Sequence, residues 1–145
     1  MRILIGKSKV PSSTSGFTLI ELLVVLAIIA LLAGLVGPTV LNQLGGAKTK
    51  TAKIQIKDLE MALEMYKLDV GAYPSSTEGL ESLVQKPSDA DGWNGPYLKS
   101  DVPKDPWNNA YYYVYPGTRA EIEIYSFGQD GAQGGDGENS DVENW

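Results

Sequence analysis

Oxygen-bearing side chains near the C-terminus are the residues of this chain best suited to chemistry. Asp130, Asp136 and Asp141 lie in a segment, residues 126–141, that has many glycines and no basic residue. Carboxylates and backbone carbonyls are the ligands that calcium prefers, and glycines let a short loop fold around an ion. Since the spacing does not fit an EF-hand, the segment alone is compatible with a calcium loop or a disordered acidic tail.

No set of residues for covalent or acid–base catalysis accompanies these acids. The chain has no Cys and no His, which removes thiol nucleophiles, Cys-ligated metals and the commonest general base. Catalysis would depend on scattered carboxylates, which usually belong to a solvated surface. We therefore expect a protein that is not an enzyme.

A further carboxylate stands out because of its surroundings. Glu21 directly precedes an uncharged apolar run over residues 22–41, and about 20 such residues are what a helix needs to cross a hydrocarbon core. A charge at the edge of that span costs roughly 2.5–3.5 kcal/mol unless it finds a partner or reaches the interface. Glu21 therefore either snorkels to the lipid headgroups or has a specific partner.

The residues before the span are basic. Arg2, Lys7 and Lys9 occur without an acid and are followed by a run rich in Ser and Thr up to Gly16. Because positive charge is retained in the cytoplasm, the N-terminus should stay inside and the chain beyond the span should lie outside. A secretory signal would instead place its small-residue cleavage site after an apolar stretch of about 7–15 residues.

The motif Gly-Phe-Thr-Leu-Ile-Glu at residues 16–21, with the apolar run after it, resembles the processing and methylation signal of type IV pilins and type II secretion pseudopilins. The resemblance implies that a prepilin peptidase cuts after Gly16 and methylates Phe17, so that the apolar helix remains in the mature protein. It also implies that Glu21 pairs with the N-terminal amine of a neighbouring subunit, which would offset part of the desolvation of both charges.

Three blocks further along resemble one branch of that superfamily, the major pseudopilins of the general secretion pathway protein G family. They are Gly-Ala-Tyr-Pro-Ser-Ser-Thr-Glu-Gly-Leu-Glu-Ser-Leu-Val-Gln-Lys-Pro at 71–87, Trp-Asn-Gly-Pro-Tyr-Leu at 93–98 and Val-Pro-Lys-Asp-Pro-Trp-Asn-Asn at 102–109. One departure is Asn108-Asn109-Ala110, where the family more often has Gly-Asn-Pro. The turn at that point is therefore expected to differ.

The fold implied is α+β and type IV pilin-like, with a long N-terminal helix, a short helix, an antiparallel hairpin or sheet, and a calcium-stabilised loop. The chain then divides into a cleaved leader (1–16), a transmembrane and filament-core helix (17–41) and a periplasmic domain (42–145). Within that domain we expect an amphipathic helix over 47–70, a β-rich region over 107–127 and an acidic, Gly-rich loop over 128–145.

Periodicity supports the amphipathic helix. Ile56, Leu59, Leu63 and Tyr66 recur at helical spacing, and Gly71 is expected to end the helix. Upstream, Pro38 is expected to break the long helix, as a kink or by local unwinding.

Alternation in the β-rich region predicts a hairpin closed through residues 116–119. Ile122 and Ile124 should face the helix, while Glu121 and Glu123 should face solvent. The many Tyr and Trp residues are expected to be core and turn scaffolding rather than a stacking platform for ligands.

Major pseudopilins carry a calcium site in the C-terminal loop, so the resemblance implies one here. Asp130 and Asp141 are the expected side-chain ligands. Asp136, Ser140 and the carbonyl of Phe127 are the further candidates.

The function implied is that of the structural major subunit of the type II secretion pseudopilus, which helps export folded proteins. Expected partners are copies of the chain itself, minor pseudopilins, the prepilin peptidase, the inner-membrane assembly platform and the outer-membrane secretin complex. The expected location is the cell inner membrane, with a cytoplasmic N-terminus and a periplasmic C-terminal domain. With 12 basic and 18 acidic residues, nucleic acid is not an expected partner.

Two alternatives remain open. One is a type IV pilus subunit, although such subunits in Gram-negative bacteria commonly close the C-terminal region with a disulfide and this chain has no Cys. The other is a calcium-dependent binding module on a simple membrane anchor. An anchor should tolerate replacement of Glu21, whereas an assembling subunit should not.

Overall fold

The computed structural model describes residues 16–145, apart from the side chain of Asn42. The chain forms two compact units, one ending at Thr39 and one spanning Val40–Trp145. The expectations for the basic leader, residues 1–15, lie outside the described residues.

One helix, α1 (Leu19–Val70), contributes to both units. Its large apolar side chains up to Val36, among them Leu22 and Ile29, are exposed in the single chain. By length and composition this helix could cross a membrane, a test that a signal sequence near an N-terminus also passes. The predicted apolar helix is therefore present, and its surface is unsuited to water.

α1 includes Pro38 without interruption, so local unwinding is not observed in the single chain, and a kink at Pro38 stays a prediction. Pro38 has no N–H to donate, so the helix lacks one backbone hydrogen bond at that position. Among the described residues, no atom beyond the chain neighbours and the local helix backbone lies within 4 Å of a Cβ placed on Gly34 or Gly37. Unwinding of this segment in an assembled filament remains a prediction.

The helix ends at Gly71, as predicted. Gly71 has a φ of 94° and donates its N–H to the carbonyl of Lys67 at 2.8 Å. A left-handed residue with this bond is the usual αL cap, and glycine adopts it without the steric cost of a Cβ.

The core of the second unit lies between α1 and a small sheet. Ile56, Leu59, Leu63 and Tyr66 are all buried on one face of α1, which confirms the amphipathic pattern. Ile124 from the sheet belongs to the same apolar cluster. Burying each large apolar side chain contributes roughly 1.5–3 kcal/mol, so this face holds the helix on the domain.

The sheet has three antiparallel strands in the order β1 (Tyr112–Val114), β2 (Glu123–Ser126) and β3 (Val142–Glu143). The predicted hairpin is confirmed, with Tyr113 opposite Ile124. Strand β3 was not predicted, since it falls in the segment 128–145 that we expected to be only a loop. Two short 3₁₀ helices, Leu80–Leu83 and Gly137–Asn139, complete the described elements.

One prediction about the hairpin is wrong. Ile122 and Ile124 are buried as expected, but Glu123 is only 8 % exposed rather than facing solvent. Its carboxylate accepts hydrogen bonds from the backbone N–H groups of Thr118 and Arg119. Alternation along a strand could not reveal this, because the turn that connects the strands folds over the outer face of β2.

Candidate functional sites

The first candidate site is the processing motif in the first unit. Phe17 is 87 % exposed, and among residues 16–145 no atom beyond the chain neighbours lies within 4 Å of where a Cβ on Gly16 would be. No other described residue covers the peptide bond between Gly16 and Phe17. This geometry is compatible with cleavage at the predicted position.

Glu21 has a local partner that the sequence analysis did not foresee. Its Oε2 accepts hydrogen bonds from the backbone N–H and the hydroxyl of Thr18, at 2.8 and 2.9 Å. The Glu21 N–H in turn donates to the Thr18 hydroxyl at 3.3 Å. This reciprocal arrangement is a capping box, and the Thr-x-x-Glu spacing was the signal for it.

The second candidate site is the C-terminal loop. Asp130 accepts the backbone N–H of Ala132 at 3.1 Å, and Asp141 Oδ2 accepts that of Gly134 at 2.9 Å. Within residues 16–145, the other carboxylate oxygen of Asp141, Oδ1, is buried and has no hydrogen-bond partner. A buried unpaired carboxylate oxygen is costly, so this atom fits a bound cation.

The loop folds back on the segment that follows β2. A Cβ on Gly128 would lie 2.6 Å from the carbonyl oxygen of Glu138 and 2.9 Å from that of Ser140. Gly128 has a φ of 71°, so glycine is needed there both for conformation and for space. Gly128 directly follows Phe127, so this close approach places Phe127 one residue from the contact with Ser140. Phe127 and Ser140 are both among the expected calcium ligands.

The carboxylates themselves are not gathered into one cluster. Over the part of the chain that the structure describes, no group of three or more acidic side chains could hold a metal ion. Asp136 is exposed and precedes the second 3₁₀ helix, where its carbonyl accepts the N–H of Asn139 at 3.2 Å. A calcium ion at Asp141 would need backbone carbonyls and water as most of its ligands.

One buried acid supports the loop and was missed by the sequence analysis. Asp105 is buried, and its Oδ1 accepts the backbone N–H groups of Trp107 and Asn109 at 3.0 and 2.7 Å. Its Oδ2 accepts the hydroxyl of Ser126 at the end of β2. The Asp-Pro-Trp-Asn turn signal places Asp105 at a turn, but the contact with Ser126 is long-range and invisible in sequence.

Two family models match the chain. Residues 39–145 match the model described as type II secretion system (T2SS), protein G. Residues 11–37 match the model described as the prokaryotic N-terminal methylation motif. The two matches follow one another along the chain, as the motif and the later blocks predicted.

Curated relatives match along almost the whole chain. The type II secretion system core protein G of Pseudomonas aeruginosa is 46 % identical over 134 residues, which cover 90 % of this chain and 94 % of the relative. The protein of the same name from Vibrio cholerae is 43 % identical over 134 residues, covering 90 % and 91 %.

A solved structure is also similar. The crystal structure of the major pseudopilin from the type 2 secretion system of enterohaemorrhagic Escherichia coli is 32 % identical and matches with a TM-score of 0.60. The match covers 69 % of this chain and 88 % of that one. The predicted α+β, type IV pilin-like fold is thereby confirmed, while the calcium-stabilised state of its C-terminal loop stays a prediction.

Proposed function

The chain belongs to the protein G family of the type II secretion system, the structural major pseudopilins, and from this premise we propose how it is processed and assembled. A prepilin peptidase removes the leader after Gly16 and methylates Phe17. The apolar part of α1 anchors the mature chain in the inner membrane with the second unit in the periplasm. Copies of the chain then stack into a pseudopilus.

The observation that carries this proposal is the succession of two matches. A methylation motif over residues 11–37 leads directly into a protein G match over residues 39–145. The exposed apolar surface of the first unit supports the same proposal, since it requires lipid or other chains around it. Minor pseudopilins, the assembly platform and the secretin complex are proposed as the further partners.

Glu21 is proposed to have two partners at once. In the described residues its Oε2 is occupied by Thr18, while its Oε1 accepts no hydrogen bond. The free oxygen is available to the methylated amine of a neighbouring Phe17. The capping box would then hold the carboxylate in place for that contact, and the amine would reduce the cost of a charge in an apolar setting.

The test uses the full chain in cells that carry a type II secretion system. Glu21→Ala should leave leader cleavage intact while abolishing cross-linked multimers and secretion. Thr18→Ala is the matched control, because it removes the two hydrogen bonds of the Thr18 hydroxyl but keeps the carboxylate and its bond from the backbone N–H. It should reduce multimers only in part. Normal multimers and secretion with Glu21→Ala would contradict the proposal and favour a simple anchor.

A calcium ion is proposed for the C-terminal loop. Asp141 and Asp130 would supply carboxylate oxygens, Asp136 and Ser140 are the further candidates, and Phe127 would supply a carbonyl. When bound, the ion would offset part of the negative charge of the acidic loop and satisfy the buried Oδ1 of Asp141. It would act as a structural crosslink within the loop, since the glycines there contribute no apolar contacts.

A further inference from the structure

Lysines are concentrated just beyond the apolar run of α1. The run ends at Leu41, and residues 42–57 contain four lysines and no acid. The rest of the chain, residues 58–145, has the opposite character, with five basic and seventeen acidic residues. The positive charge of the second unit is therefore concentrated on the part of α1 that follows the apolar run.

Three of the four lysines share one exposed face of the helix. Lys50, Lys53 and Lys57 are exposed and fall within an arc of about 60°, turned away from the buried face of α1. Among residues 16–145, none of these three takes part in an ion pair, whereas Lys48 lies 3.5 Å from Glu138. The three exposed lysines, called here the lysine face, thus have no partner of opposite charge within the described chain.

A groove opens beside the lysine face. It has a volume of about 530 Å³, and its lining includes two adjacent glycines of α1, Lys50, Lys53 and Glu138 of the C-terminal loop. The charge of Glu138 is partly offset there, because its Oε2 lies 3.5 Å from the ammonium group of Lys48 and accepts the indole N–H of Trp107 at 3.1 Å. The groove can therefore receive a small anionic group between the two free lysines and the loop.

The distance from the apolar run places the lysine face at a membrane surface. The headgroup layer on each side of a bilayer is about 5–7.5 Å thick. Lys50 lies about 13.5 Å along the helix axis from Leu41, and Lys53 about 18 Å. Helical side chains point back toward the N-terminus, and the lysine stem brings each ammonium several ångströms closer to the membrane. Lys50 thus reaches the headgroups, and Lys53 lies within a Debye length of about 8 Å of them.

We propose that Lys50 and Lys53 bind the phosphate groups of anionic phospholipids in the leaflet next to the second unit, and that the groove receives one headgroup. This inference rests on the proposed membrane anchoring and adds the lipid class and the residues that bind it. Basic residues near a span are usually kept on the cytoplasmic side, so lysines on the outer side need a role there. The contact fixes which side of the second unit is turned to the membrane, because anionic lipid attracts the lysine face and repels the acidic remainder.

Labelling of lysines in vesicles tests the contact. The full chain is inserted into vesicles of phosphatidylcholine, or of phosphatidylcholine with one quarter phosphatidylglycerol, and treated with a membrane-impermeant acylating reagent. A lysine bound to phosphate stays protonated and reacts slowly. Phosphatidylglycerol should slow the labelling several-fold at Lys50, less at Lys53 and hardly at Lys57, as measured by mass spectrometry. High salt should remove the difference.

Lys99 is the internal control for labelling. It is exposed and lies two residues from Tyr97, whose hydroxyl donates to Asp69 near the far end of α1 at 2.8 Å. Equal slowing at Lys99 and Lys50, or no slowing at Lys50, would overturn the inference. Slowing by inorganic phosphate in phosphatidylcholine vesicles would also overturn it, since the ligand would then be free phosphate.

Two further outcomes separate this inference from its alternatives. Slowing at Lys50 in pure phosphatidylcholine that rises with the density of the protein would assign the lysine face to acids of a second copy, against the lipid. Release of the chain from both kinds of vesicle by alkaline carbonate would contradict the proposed membrane anchoring itself, and this inference would fail with it.

Lipid retention provides a second readout that does not depend on the reagent. The full chain, purified in mild detergent from the mixed vesicles, should retain phosphatidylglycerol. Lys50→Gln with Lys53→Gln should lower the retained amount several-fold, whereas Lys50→Arg with Lys53→Arg should keep it. Lys86→Gln with Lys99→Gln is the matched control, because it removes the same charge from two exposed lysines elsewhere. Thermal unfolding of each variant is the control for folding, and equal losses of lipid for the two Gln pairs would contradict the proposed site.

Discussion

Trp107 and Glu138 are joined by a hydrogen bond between the turn that precedes β1 and the C-terminal loop. The indole N–H of Trp107 donates to Glu138 Oε2 at 3.1 Å. The same oxygen lies 3.5 Å from the ammonium group of Lys48 on α1. Glu138 thereby connects the C-terminal loop to α1 and to the turn that contains Trp107. The Cγ of Glu138 lies next to Gly45 on α1.

The contact between Glu138 and Gly45 gives the first prediction. A Cβ on Gly45 would lie 2.5 Å from Glu138 Cγ, too close without a shift of the Glu138 side chain. Gly45→Ala should therefore destabilise the parent chain, although alanine in place of glycine normally stabilises a helix by about 0.5–1 kcal/mol. In a Glu138→Ala background the same change should become stabilising, which thermal unfolding of the four variants will measure.

Gly46 is the matched control for these four variants. In the described part of the chain, no atom beyond the chain neighbours and the local helix backbone lies within 4 Å of its Cβ position. Gly46→Ala should stabilise the chain by about 0.5–1 kcal/mol in both backgrounds. If Gly45→Ala behaved like Gly46→Ala in the parent chain, Glu138 would not be held over α1.

Asp105 gives the second prediction. It is buried and accepts three hydrogen bonds, two from backbone N–H groups and one from Ser126. Asp105→Ala should cost about 3 kcal/mol or more, because hydrogen bonds to a charged group contribute about 1.5–3 kcal/mol each and the donors would be left unpaired. Urea unfolding should show a smaller loss of stability for Ser126→Ala, which keeps the bonds from the N–H groups of Trp107 and Asn109 to Asp105. Equal losses for the two variants would show that these two backbone bonds do not contribute.

The turn next to Asp105 gives the third prediction. Asn108 has a φ of 72°, and it stands where the family more often has glycine. Because a Cβ costs about 1–2 kcal/mol in the left-handed region, less for Asn, Asn108→Ala should destabilise the chain by about 1 kcal/mol. Asn108→Gly should be within about 0.5 kcal/mol of the parent. A fully tolerated Asn108→Ala in thermal unfolding would contradict this assignment of the turn.

Short-range patterns in the sequence were enough to predict α1 and the hairpin, because each depends on residues that are close together in the chain. The spacing of Ile56, Leu59, Leu63 and Tyr66 predicted the buried face of α1, and Gly71 predicted its end. The hairpin followed from alternation. The match of residues 11–37 to the N-terminal methylation motif agrees with the resemblance at residues 16–21, while cleavage after Gly16 stays a prediction.

The contacts that were missed join residues far apart in the chain. Strand β3 contains few residues and gains its structure from pairing with β2, with Val142 opposite Ser126. Glu123 is covered by a turn whose path depends on the closed hairpin. The hydrogen bonds that Glu138 accepts from Trp107 and Lys48 span 31 and 90 residues. Periodic patterns in the sequence cannot predict contacts between residues so far apart.

Glu123 gives the fourth prediction, on pH. Hydrogen bonds from the backbone N–H groups of Arg119 and Thr118 lower the pKa of Glu123 from its ordinary value of 4.5. The ionised form is therefore favoured in the folded state. Its contribution to stability is present above pH 4.5 and is lost as the pH falls through the lower folded pKa. Glu123→Gln should reduce the melting temperature at neutral pH and make little difference in strong acid.

The measurement for Glu123 is thermal unfolding from pH 7 downward. Glu121→Gln is the matched control, since Glu121 is exposed on the same strand region and pairs with Lys67 at 2.8 Å. A difference between parent and Glu123→Gln that stayed constant with pH would show that ionisation of Glu123 does not contribute.

The last prediction concerns calcium and the unpaired Oδ1 of Asp141. Weak natural calcium sites have dissociation constants of about 10⁻⁴–10⁻³ M, so about 10 mM calcium should stabilise the folded chain by about 1.4–2.7 kcal/mol relative to chelator. That corresponds to a rise of several degrees in the melting temperature of the full chain in detergent.

Asp141→Asn should abolish the rise. Asp101→Asn, which changes an exposed acid outside the loop, should keep it. Because the unpaired carboxylate oxygen is costly without an ion, Asp141→Asn should unfold at nearly the parent's temperature in chelator. An unchanged calcium response in Asp141→Asn would exclude Asp141 as a ligand, and no response in the parent chain would leave the acids of this loop with the role of turn acceptors alone.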